Sequence, residues 1–84
     1  MIIHDLITKL QSYGDPHVKE LTALIEAIDQ AIADKSITQT EYVDLMVDAE
    51  RLRMVIQEAQ DQALDQLIHD AIANLISLAE MAKL

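Results

Sequence analysis

Asp61, Asp65 and His69 recur at four-residue intervals, the spacing that stacks side chains along one face of a helix. Carboxylates and an imidazole in that register can ligate a divalent metal, and Glu58 falls near the same face. Helical metal centres, however, are signalled by Glu-x-x-His or His-Glu-x-x-His pairs, and neither occurs in this chain. The pattern reads first as a solvated polar face opposite an apolar stripe. No metal site, no catalytic residue and no cofactor is expected. His4, His17 and His69 are scattered and are expected at the surface. His17 falls in the first turn of a predicted helix, beside a positive dipole end that does not favour imidazolium.

Two Glu-x-x-Asp pairs, Glu26 with Asp29 and Glu41 with Asp44, lie on successive predicted helices. They distantly resemble the acidic magnesium sites of all-α nucleotide pyrophosphatases, and that resemblance implies a metal-dependent enzyme. The residues themselves pull the other way. Glu41 is explained as the reciprocating member of a capping box, and no base-stacking or phosphate-gripping set accompanies the acids. Asp48 and Arg51, three residues apart, are expected to form a helix-surface ion pair worth a few tenths of a kcal/mol.

Charge says more about partners than about chemistry. Fifteen acids oppose six bases in 84 residues, a net charge of −9. A phosphate backbone is recognised by clustered Lys and Arg, so no nucleic-acid partner is expected. With no Phe, no Trp and only Tyr13 and Tyr42, the chain also lacks base-stacking platforms. Between Arg53 and Lys83 no base occurs, while Glu58, Asp61 and Asp65 offer an acidic face that suits a basic protein partner. The plainer account is that these acids keep a sticky helical protein soluble. The absence of Cys removes disulfides and fits a reducing, cytoplasmic setting. Met1-Ile2-Ile3-His4-Asp5 has neither a basic start nor a long apolar run, so no secretory signal is expected. Leu64 to Leu84 is apolar-rich, but Asp65, His69, Asp70, Glu80 and Lys83 make it a poor membrane span.

The elements that position these residues read as all-α. Ile2, Ile3, Leu6, Ile7 and Leu10 predict a short helix over about 2–12. Gly14 suits a left-handed position after its end, and Asp15-Pro16 is a cap followed by a first-turn proline. A second helix is predicted over about 16–34, with Val18, Leu21, Ile25, Ile28 and Ile32 stepping by three and four as a heptad seam. Ile37-Thr38-Gln39-Thr40-Glu41-Tyr42 reads as a capping box with a hydrophobic staple. From Gln39 onward the chain has no Gly and no Pro for 46 residues. That predicts one long helix over about 39–83, roughly 69 Å at ~1.5 Å per residue. Its seam continues through Tyr42, Leu45, Ala49, Leu52, Ile56, Ala59 and Ala63. Leu45, Ile56, Leu67 and Leu78 recur every eleven residues, a spacing that favours nearly straight pairing.

The resulting expectation is a short N-terminal helix plus an antiparallel hairpin with coiled-coil-like packing and a long second arm. A break near Gln57–Asp61, folding the tail back into a four-helix monomer, is the rival, but that stretch holds only helix-compatible residues. The second helix cannot cover the far end of the long one, which leaves Leu64, Leu67, Ile68, Ala71, Leu75 and Leu78 for a second copy of the chain. The function so read is non-enzymatic: a homo-oligomeric assembly or scaffolding protein. The alternative is a small acidic inhibitor or adaptor docking on a basic surface of another protein. In size and acidity the chain resembles accessory proteins of tailed phages.

Overall fold

The computed structural model describes residues 2–57 and 61–83. They form four helices: α1 (Ile2–Gln11), α2 (Pro16–Asp34), α3 (Gln39–Gln57) and α4 (Gln62–Met81). The all-α expectation holds, and α1 and α2 fall where periodicity and capping place them. The expected long helix does not form. Its span is divided between α3 and α4, and Asp61 between them is extended, with φ −89° and ψ 102°. The described residues measure 34 Å in their longest direction, half of what the continuous helix would need.

Two forces account for the break. Asp is a poor helix former but a strong N-cap. The Leu64 amide donates to Asp61 Oδ1 at 3.0 Å, and the Asp65 amide donates to the Asp61 carbonyl at 2.9 Å, which opens α4 with a capped turn. Burial is the stronger of the two. A straight helix would leave the wide apolar face of α4 in water, at about 1.5–3 kcal/mol per large side chain. Folding back places Leu64, Ile68, Ala71, Ile72, Leu75 and Ala79 in the core instead. A handful of backbone hydrogen bonds at one joint cannot outweigh that sum.

Helix α2 is the central element and packs against the other three. All five of its seam residues, Val18, Leu21, Ile25, Ile28 and Ile32, are buried. Thr22 is buried among them, with its hydroxyl donating to the Val18 carbonyl at 2.7 Å. Helix α1 contributes Ile3, Leu6, Ile7 and Leu10 and lies across α2 and α4. Helices α3 and α4 run antiparallel: Gln57 meets Asp65 at one end, and Tyr42 lies near Glu80 at the other. This pair is the most lightly packed of the contacting helices, and α1 and α3 do not meet.

The turns use local chemistry. Asp15 Oδ1 accepts from the His17 amide at 2.7 Å, with Pro16 at the first helical position. At the end of α2 the left-handed residue is Lys35, φ 54°, and the Ser36 amide closes on the Ala31 carbonyl at 3.1 Å. Gly14 does not take the left-handed position expected of it. Helix α1 ends instead in tight i to i+3 bonds, Ser12 amide to Lys9 carbonyl and Tyr13 amide to Leu10 carbonyl, so no left-handed residue is required. The capping box before α3 is present: the Thr38 amide donates to Glu41 Oε1 at 3.1 Å, and the Glu41 amide donates to Thr38 Oγ1 at 3.2 Å.

Candidate functional site

The residues with metal-ligand spacing do not assemble into a site. Asp61 stands outside the helix as a cap, so it no longer shares a helical face with Asp65 and His69. Asp65 Oδ1 accepts from Gln57 Nε2 at 3.1 Å and lies 3.6 Å from Arg53 Nε. His69 is exposed. Glu58, the third member of the expected acidic face, lies outside the described residues, as does Ala59 of the expected seam. Among the described residues no three His, Asp or Glu side chains are grouped to hold a metal ion.

The two Glu-x-x-Asp pairs are also separated by their local partners. Glu26 accepts from Gln11 Nε2 at 2.6 Å, and Asp29 meets His4 Nε2 at 3.1 Å. Both contacts lie along a shallow groove of about 590 Å³ between α1 and α2. Glu41 is held by Thr38, and the donated Thr38 amide, then the Thr38 hydroxyl, keeps its carboxyl below the ordinary value of 4.5. These acids tie helices and caps together. Asp48 pairs with Arg51 at 3.7 Å, as expected.

The six residues expected to join a second chain are drawn into the intrachain core. Leu64, Ile68, Ala71 and Leu75 are buried, and Leu67 and Leu78 are partly buried against the same cluster. The wide apolar arc on α4 does touch several neighbours, but those neighbours are α1, α2 and α3 of one chain. The surface expected to meet a partner is therefore covered by the fold-back at Asp61.

Val55 and Met81 are exposed singly, and the other exposed large apolar side chains gather along the seam of α3 and α4. A groove of about 450 Å³ opens there with an almost wholly apolar lining. From α3 come Val43, Val47 and Met54, which are 50%, 44% and 65% exposed. Tyr42 and Met46 form the side of α3 nearer the core, and Ile72 and Ile76 supply the α4 wall, with Ile76 43% exposed. Glu50 and Arg51 complete the lining. Burial, and then the negative charge of Glu80, pushes the Tyr42 hydroxyl above its ordinary range.

Sequence reasoning missed this surface, although a signal was there. Val43, Val47 and Met54 are spaced by four and seven, off the seam of Tyr42, Ala49 and Ile56. Helix α3 thus carries apolar residues on two faces, and a single-chain bundle of this size covers one of them. No family model, curated protein or solved structure matches the chain.

Proposed function

We propose that this chain is a non-enzymatic protein-interaction module that binds another polypeptide in the α3–α4 groove. The observation that carries the reading is the concentration of exposed large apolar side chains, Val43, Val47, Met54 and Ile76, along one groove. Isolated apolar residues on a surface need no explanation, but a contiguous apolar groove marks an interaction site. Two methionines, Met46 and Met54, suit that use because an unbranched thioether side chain reshapes to fit its ligand. No catalytic role is proposed: His4, Glu26, Asp29 and Glu41 engage caps and helix contacts. Among the described residues no helix is long and apolar enough to cross a membrane. We place the action of the protein in the cytoplasm, where a chain without cysteine is at home.

Self-assembly is a variant of the same reading, now moved from the core face of α4 to the outer face of α3. Light scattering coupled to gel filtration tests it over about a hundredfold dilution, because an assembly dissociates by mass action and a monomer does not. The groove is tested by Val47→Asp combined with Ile76→Asp. Both side chains are exposed, so the melting midpoint should hold while binding, to itself or to another protein, is lost. Unimpaired association by the folded double variant would overturn the reading.

A further inference from the structure

The occupant of the α3–α4 groove has a definable chemistry, given the binding role proposed above. Two antiparallel helices with an open apolar seam form a trough that a third helix fills with one stripe of side chains. Helix α4 supplies acid to this trough: it carries Asp65, Asp70 and Glu80 and no Lys or Arg, and Glu80 lies near Tyr42 at one end. The α3 side is mixed, with Glu50 and Arg51 both in the lining. Arg51 lies 3.7 Å from Asp48, while Arg53 lies 3.8 Å from Glu50 and 3.6 Å from Asp65. Around them the whole chain holds a net charge of −9.

We propose that the groove receives a basic amphipathic helix of another protein, its apolar stripe in the trough and its Lys and Arg side chains toward the acids of α4 and Glu50. A second copy of this chain is a poorer match, because self-docking would bring together two chains of charge −9. A cationic helix turns that repulsion into attraction, and its charges set the approach and the register while the apolar stripe holds the complex.

Two synthetic helical peptides test the proposal. They share one leucine stripe and a single tryptophan, and the remaining positions are lysine in one and glutamate in the other. The protein has no Trp, so peptide fluorescence reads binding directly. The lysine peptide should bind saturably, roughly tenfold or more tighter than the glutamate peptide, and more weakly as salt is raised. Val47→Asp should weaken it by about tenfold at unchanged helicity and melting midpoint. Glu50→Lys should weaken it clearly more than Asp5→Lys, which changes the net charge equally but lies on α1, a helix that does not touch α3. Equal binding of the two peptides, or equal effects of the two lysine substitutions, overturns the basic-helix occupant. A dimer that excludes the peptide and dissociates in Val47→Asp also overturns it, assigns the groove to a second copy and leaves the binding role intact. A monomer that binds neither peptide overturns both.

Discussion

Lys35 holds a left-handed backbone, φ 54°, where most helices use glycine. A side chain there carries a steric penalty of about 1 kcal/mol. Lys35→Gly should therefore stabilise the chain by about 0.5–1 kcal/mol, read as a higher urea midpoint. Gly14 is the converse. It is not left-handed, and a Cβ built on it meets nothing within 4 Å. Gly14→Ala should stabilise by about 0.4–1 kcal/mol through the unfolded chain, in the same assay. Glu41 adds a pH dependence of known sign. Its carboxyl titrates lower in the folded chain than in the unfolded one. Its contribution is present above the unfolded value and is lost as pH falls through the folded one. Acid also relieves the repulsion of a −9 chain, so the test is differential: Glu41→Gln, which removes the titrating carboxyl, should lose less stability on acidification than the parent. An identical pH profile in the two proteins would remove the capping box from this role.

At the scale of elements, the decisive residue is Asp61. Asp61→Ala removes the acceptor for the Leu64 amide and should cost about 1 kcal/mol, whereas Asp61→Asn should keep most of the cap. Chemical denaturation of both variants checks this, and equal losses would assign the effect to charge instead. What is legible in the sequence divides along the same line. Periodicity locates the buried faces of α1 and α2, because each of those helices has a single apolar stripe, and Asp15-Pro16 marks where α2 starts. Residues 57–61 carry no comparable signal. Local propensity there permits a helix, and the break follows from apolar surface on α4 that only tertiary packing can cover. In the sequence Asp61 reads as a partner-facing charge, since a cap is recognisable only once the helix after it is known to start there.

For the molecule as a whole, the fold-back exchanges the roles of two faces. Leu75 is fully buried in a single chain, so Leu75→Asp should unfold the protein instead of dissociating it. A buried unpaired carboxylate costs several kcal/mol, on the order of the entire stability of a domain this small. Val47→Asp should leave the circular dichroism spectrum and the melting midpoint intact while weakening association through the groove. Similar melting curves for the two variants would mean that core and surface are wrongly divided. The candidate site is hidden in the sequence for a related reason. An apolar residue on α3 looks the same whether its neighbour is α2, α4 or solvent. Only the light packing of α3 on α4 shows which of its two apolar faces is left open.

The contact of α1 with α4 also bears on how the protein is made. Synthesis runs from the N-terminus, so α1 leaves the ribosome well before α4, one of the two helices that cover it. Until α4 emerges, α2 is the one neighbour in this bundle that shelters Ile3, Leu6, Ile7 and Leu10, since α3 does not touch α1. The bundle therefore cannot close before α4 has been made, and a ribosome stalled before Gln62 holds a chain whose α1 apolar residues are still open to chaperones.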